Sequence, residues 1–343
     1  MAEKTVEFLR KKVNGKVTTE KEPTFYAGVV VERFIDKEHD KDTLSLSITS
    51  KIYDGVLESF PGLIEGEQPK FSGKALIDEL RKLRLVPKEE RPKKMPESAR
   101  QYGSITGKLR WYLKILAPLN WMVHRLSTCT AAPPEGGLDV AKSVLAVAYR
   151  ERHTRITYRR GLPNSDSLLQ GSMSARIEPD ALPPSTTTAV ADATWGIDIE
   201  GPFTCGDVYG LAVTRCGAHV YATTHNLGVV VDASSFAEAI ATGRADEIIE
   251  EARAIETALG IPPDKPTLVM TDNKANALVG SGAGTLRSRH AIRRWVTFLQ
   301  RVQTGACILR FVPDEQNPAD FLTKPVPAAK LETSKLWLQG KPP

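Results

Sequence analysis

Thr267-Leu-Val-Met-Thr-Asp-Asn-Lys274 is a short apolar run that closes on an acid. Pro262-Pro-Asp-Lys-Pro266 stands before it as a turn, so Thr267–Thr271 predicts a buried strand with Asp272 at its end. On the N-terminal side, Ser235–Leu259 carries a helical pattern with an irregularity at Gly243. Before that, Val208–Arg215 and Ala218–Thr224 read as hairpin strands about Cys216-Gly217, and Thr187–Ala193 as a further short strand. On the C-terminal side follow a basic helix over Arg287–Gln303, a strand over Cys307–Val312 and a helix start at Asn317–Leu322. Three antiparallel strands, a helix, a parallel strand, helices and a fifth strand predict an α/β layer built on a mixed five-stranded sheet with flanking helices.

Upstream the texture changes. Residues 1–60 hold two strand-like runs, Phe25–Phe34 and Leu44–Ser50, and an apolar-periodic helix near Ile52–Phe60. Residues 61–99 are polar and rich in Pro and Lys, with one helix about Gly73–Leu85, and read as a linker. Residues 100–180 show helical patterns at Ala99–Ile115 and Leu138–Arg150. A Pro/Ser/Thr break from Pro179 to Thr188 opens the last domain, taken as 185–330 with a C-terminal tail over 331–343.

Of the 343 residues 41% are hydrophobic and 25% charged, the balance of a globular protein and not of a disordered one. No apolar run reaches the ~18–20 residues of a membrane helix. The first residues lack the apolar core of a signal peptide. Four scattered cysteines, without a CxxC pair, fit a reducing compartment. A cytoplasmic or nuclear, non-secreted protein is the expectation. Charge is uneven: residues 81–160 carry 18 Lys/Arg against 6 Asp/Glu, whereas 181–343 carry 15 against 17. The basic segment is either the footprint of a polyanion or a solvated basic face. Trp111, Tyr112 and Trp121 within it either stack on a nucleic-acid strand or pack a helical core.

Four acids stand where strands end or helices begin: Asp192, Glu238, Asp272 and Asp320. Glu238 falls in the first turn of a helix capped by Ser234 or Ser235. Asp320 follows a cap at Asn317 and a first-turn Pro318. Such positions point carboxylates at one rim of a sheet, where they repel one another unless a multivalent cation intervenes. Mg²⁺ takes hard oxygen ligands, and two such ions serve in-line displacement at phosphorus. Taken singly, each acid reads equally as a cap or a solvated surface residue.

The segments Ala191-Asp-Ala-Thr-Trp195, Ser234-Ser-Phe-Ala-Glu-Ala239, Thr271-Asp-Asn-Lys274, Arg289-His-Ala-Ile292 and Ala319-Asp-Phe-Leu-Thr-Lys-Pro325 occur in that order. They resemble the C-terminal part of copia-type LTR-retrotransposon polyproteins, the last of them most specifically. Tyr102-Gly-Ser-Ile-Thr-Gly-Lys-Leu109, Tyr26-Ala-Gly-Val-Val-Val-Glu-Arg33 and Leu44–Tyr53 extend the resemblance upstream. The resemblance implies a ribonuclease H-like domain preceded by a smaller α+β reverse-transcriptase remnant: palm end over 1–60, thumb and connection over 100–180. It implies metal-dependent hydrolysis of the RNA strand of RNA–DNA hybrids, with two Mg²⁺ or Mn²⁺. Asp192 would bridge both ions, Glu238 and Asp272 hold the one near the leaving oxygen, and Asp320 the one carrying water. Nucleic-acid contacts would fall to Asn273, Arg287, Arg289, His290, Arg293 and Arg294, and to Lys108, Arg110 and Lys114 in the basic segment. His290 reads alternatively as a helix-surface histidine. Thr194 stands where the family carries a second Asp, and Phe236 where it carries a first Glu. No Asp-Asp dipeptide occurs, so no polymerase activity is expected. The expected partners are RNA–DNA hybrid and the rest of the polyprotein, with no membrane. A catalytically inactive nucleic-acid-binding remnant is the alternative.

Overall fold

The computed structural model describes residues 25–26, 29–37, 41–48, 57–58, 60–63, 66–159, 187–195, 207–229, 231, 233–260, 263, 266–280 and 289–340. Most of the helix expected over Ile52–Phe60 lies outside them, as does Arg287.

The N-terminal half builds one antiparallel sheet from β1 (Phe25–Tyr26), β2 (Val29–Asp36), β3 (Lys41–Ile48) and β4 (Arg155–Arg159), in that spatial order. Helices α1 (Gly73–Lys82), α2 (Glu97–Tyr112), α3 (Asn120–Thr128) and α4 (Gly137–Arg150) complete it. Two expectations fail here. Residues 61–99 are not a linker: Leu76, Leu80 and Leu83 repeat at helical spacing and are buried in the same core as Tyr102, Leu109, Leu145 and Ile156. Buried Arg125 of α3 binds them further, donating to the carbonyls of Leu80 (3.2 Å) and Arg81 (3.0 Å) at the end of α1, where the last helical carbonyls lack intrahelical partners. The boundaries at 60 and 99 also separate nothing, because β4 pairs with β3 from Thr43↔Arg159 to Ser47↔Arg155. Tyr112 and Trp121 are buried in this core, so they pack helices and are not free for stacking.

The second sheet has the order β7-β6-β5-β8-β9, from β5 (Thr187–Ala193), β6 (Val208–Arg215), β7 (Ala218–Asn226), β8 (Thr267–Thr271) and β9 (Cys307–Phe311). β5, β6 and β7 are antiparallel neighbours, whereas β8 runs parallel to both β5 and β9. The hairpin turns on Cys216 (φ 49°) and Gly217 (φ 94°). Two positive φ values make the tight turn whose twist suits adjacent strands. Around the sheet lie α5 (Ser234–Ala258), α6 (Lys274–Gly280), α7 (Arg289–Gln303), α8 (Asp320–Thr323) and α9 (Ala328–Gln339). β8 is buried throughout and β5 at every residue but its last, Ala193, as central strands covered on both faces must be. Ala189, Ala191, Leu211 and Val213 face α5 and α7, while Val190, Ala212, Leu268 and Met270 face α8 and α9. This is the period-two alternation of a sheet between two helical layers. The mixed five-stranded sheet with flanking helices expected from the sequence is the one observed.

Three details differ from expectation. α5 runs unbroken through Gly243, because its buried face is Ala237, Ala239, Ala241 and Ala245, small enough to lie flat on the sheet. Its first residue is Ser234, and no side chain caps it. Residues 331–343 are not a tail as far as Gly340: α9 buries Trp337 and Leu338 against the sheet. Among the described residues no helix is long and apolar enough to cross a membrane.

Candidate metal centre

The parallel strand β8 ends beside the C-terminal end of β5, which brings Asp272 to Asp192. Glu238, on the second turn of α5, comes over the same rim. The carboxylates of Asp192, Glu238 and Asp272 lie within 4.8 Å of one another. A second group with the same separation joins Asp272 to Asp320 and to Asp314, an exposed acid just past β9 that sequence reading passed over. Asp314 had a signal of the same kind as Asp272: an acid just beyond an apolar strand.

Each carboxylate is oriented from its own surroundings. Glu238 Oε1 accepts the Ala193 N–H at 2.9 Å, so the helix acid is tied to the strand end. Its Oε2 is buried with no hydrogen-bond partner among the described residues, which costs stability unless something binds it. Asn317 Nδ2 donates to Asp272 Oδ2 at 3.0 Å, and Asn317 Oδ1 accepts the Ala319 N–H at 2.9 Å. The side chain expected as a helix cap thus steers an acid, while α8 begins at Asp320. The Thr323 hydroxyl donates to Asp192 Oδ2. Gly210 of β6 makes that possible, because a Cβ there would overlap the side chain of Leu322. Thr194, standing where an acid was expected, serves the strands instead: its hydroxyl accepts the Val208 N–H at 3.0 Å.

The electrostatics follow from this crowding. Burial raises the Asp192 carboxyl well above its ordinary value, and the charges of Asp272 and Asp320 add to that. Glu238 is raised well above the usual range by burial, then by Asp192 and Asp272. Asp272 is raised by burial, against the Asn317 hydrogen bond. Lys324 is raised despite its burial, because Asp192 and Asp320 hold its charge. Buried carboxylates facing one another with an unpartnered oxygen among them fit a hard dication.

A pH dependence follows. An acid raised in the folded state stabilises fully below its unfolded value of about 4 and loses that contribution as pH climbs through the folded value. Urea melts with a chelator should therefore show the chain losing stability relative to Asp192→Asn as the pH is raised from about 4 upward. A constant difference as the pH rises would refute the raised carboxyls.

The residues expected on nucleic acid are placed unevenly. Arg110 of α2 is exposed, and its charge reaches His225 of β7. Lys114 is exposed with its ammonium 5.4 Å from the Trp111 ring centre, and Lys108 is half-buried. Asn273 Oδ1 accepts the Asn276 N–H at 3.0 Å and so caps α6. Arg289, His290, Arg293 and Arg294 lie on α7, their side chains outside the described residues. Arg301, on the same helix, is turned inward and pairs with buried Asp246 at 2.8 Å, so its charge is spent inside the fold. Sequence reading missed Thr323, Lys324 and Lys330, all of which touch the acids.

No family model matches the chain, and no curated protein matches it. The chain is similar to the solved structure of LC11-RNase H1 in complex with an RNA/DNA hybrid, at 13% identity and a TM-score of 0.29, covering 40% of this chain and 92% of that one. A structure of LC11-RNase H1 isolated from compost by a metagenomic approach is similar at 15% identity and a TM-score of 0.27, with the same coverage.

Proposed function

We propose that the chain is a metal-dependent ribonuclease acting on the RNA strand of RNA–DNA hybrids, within a piece of a copia-type retrotransposon polyprotein. The observation that carries the reading is the meeting of Asp192, Glu238 and Asp272 within 4.8 Å, with Glu238 Oε2 buried and unpartnered. Bound Mg²⁺ or Mn²⁺ would supply Lewis acidity to a phosphodiester and to water. The chain's own residues do the rest. Asp192, Glu238 and Asp272 offer the oxygen ligands, Thr323 and Asn317 hold two of them in place, and the rim beside Ala193 is where a phosphate enters. Exposed Arg110 and Lys114 suit the hybrid's backbone. In this reading the first sheet and α1–α4 are the palm end, thumb and connection of a reverse transcriptase, with no polymerase centre.

The test is cleavage of an end-labelled hybrid by the full chain. The expected result is RNA cut only when paired to DNA, only with Mg²⁺ or Mn²⁺, and with affinity falling steeply as salt rises. Salt-dependent binding without any cutting would favour the non-catalytic remnant instead.

A further inference from the structure

We propose that Lys330 and Lys324 hold the Asp320 position in place of a second cation, so that the chain takes one divalent ion tightly, at Asp192, Glu238 and Asp272. This rests on the nuclease reading and adds an asymmetry to it. Lys324 and Lys330 belong to the C-terminal segment, outside the acids the proposed chemistry uses.

The two clusters that share Asp272 are differently supplied with charge. Asp320 Oδ1 lies 3.0 Å from Lys324 Nζ, and Asp320 Oδ2 accepts from Lys330 Nζ. The same two ammonium groups lie 3.5 Å and 3.8 Å from the carboxylate oxygens of Asp314. Lys330 also donates to the Asp314 backbone carbonyl. Two lysines thus balance two aspartates. Asp192, Glu238 and Asp272, in contrast, have no Lys or Arg within ion-pair distance among the described residues, and the charge of Lys324 reaches them only from farther off. A dication entering the first cluster meets carboxylates with no ammonium group in contact with them. One entering at Asp320 must first displace an ammonium group.

Lys330 is not a loosely held surface side chain. Its side chain is 14% exposed, and it stands on α9, whose far end is fixed by buried Trp337 and Leu338. The Leu338 carbonyl also meets His219 Nδ1 of β7 at 2.9 Å. The placement of the ammonium is therefore set by the packing of a whole helix on the sheet. Mg²⁺ tolerates little distortion of its octahedral shell, so a lysine fixed in this way competes with it effectively.

The experiment is a titration of the full chain with Mn²⁺, read by electron paramagnetic resonance of the free ion and by calorimetry. The wild type should bind one ion tightly and a second at least roughly tenfold more weakly, within the usual range of coupled sites. Lys330→Met keeps the aliphatic length and removes the charge, and should strengthen the second ion by about that factor. Lys330→Gln, which can still bond Asp314 and Asp320, should do the same, while Lys330→Arg should leave the wild-type pattern. Far-UV circular dichroism identifies any variant that does not fold, and the two neutral variants serve for each other. Two equally tight ions in the wild type, or an unchanged second site in both neutral variants, overturn the latch and leave the nuclease reading standing. No bound ion in any of the proteins overturns both.

Discussion

If the chain is the proposed nuclease, Asp192→Asn should lower the rate of hybrid cleavage by roughly 10²–10⁴ at saturating Mg²⁺, the loss typical when a charge that organises the transition state is removed. Asp192 lies on β5, a central strand of the sheet, and its carboxyl feels the charges of both Asp272 and Asp320. It therefore stands between the two clusters, and neither Glu238 nor Asp320 can replace it from its own helix. Asn keeps the shape, and its Oδ1 still accepts the hydrogen bond that the Thr323 hydroxyl donates to Asp192. What is lost is the negative charge that binds a dication. Folding should be unharmed, because burial and two neighbouring acids already disfavour that charge in the cation-free chain. The paired readout is single-turnover cleavage of labelled hybrid and the urea midpoint with a chelator. Wild-type cleavage by the variant would place any activity elsewhere in the chain. A collapsed midpoint would make Asp192 a structural residue.

Much of this arrangement was legible in the sequence, and for an identifiable reason. β5 and β8 are short apolar runs closing next to an acid, so strand and candidate ligand are read in one step. The hairpin announced itself through Cys216-Gly217, where both residues take positive φ. What the helices pack against was harder to see. α1 was legible as a helix about Gly73–Leu85, but it sits among Lys and Pro residues, and its buried Leu76 and Leu80, with Leu83 just past its end, gain their meaning from α3 and α4. α9 mixes Trp337 and Leu338 with Lys330 and Lys335, so its local pattern suggests no single buried face; it is buried because the sheet is there to cover it. The acids themselves could be found one at a time. The groups that orient them could not, since Thr323 reaches Asp192 across 131 positions and Asn317 reaches Asp272 across 45. Gly210, whose missing side chain lets α8 approach, carries no sequence signal beyond being a glycine in a strand.

Gly340→Ala destabilises the chain by roughly 2–4 kcal/mol, from two separable causes. Gly340 ends α9 at φ 73°, in the left-handed region, where an L side chain costs about 1 kcal/mol or more. A Cβ there would also overlap the Thr157 carbonyl of β4 and come within 3.0 Å of the Gly217 carbonyl in the β6–β7 turn. Both obstacles are backbone, so neither can swing aside, and overpacking of this kind costs ~1–3 kcal/mol. Gly228→Ala separates the two contributions. Gly228 has a similar φ of 70°, with nothing within 4 Å of a Cβ, and so carries the conformational cost alone. The seam at Gly340 joins three elements: Arg159 donates through its backbone N–H to the Cys216 carbonyl at 2.7 Å and through its guanidinium to the Gly340 carbonyl. The Tyr158 hydroxyl bonds the His219 carbonyl at 2.7 Å beside them. Forcing α9 off this seam loosens the contact between the two sheets, so chemical denaturation should show a clear deficit for Gly340→Ala over Gly228→Ala. Equal losses for the two variants would mean that α9 yields without resistance, and that the seam contributes nothing to holding Lys330 near Asp320.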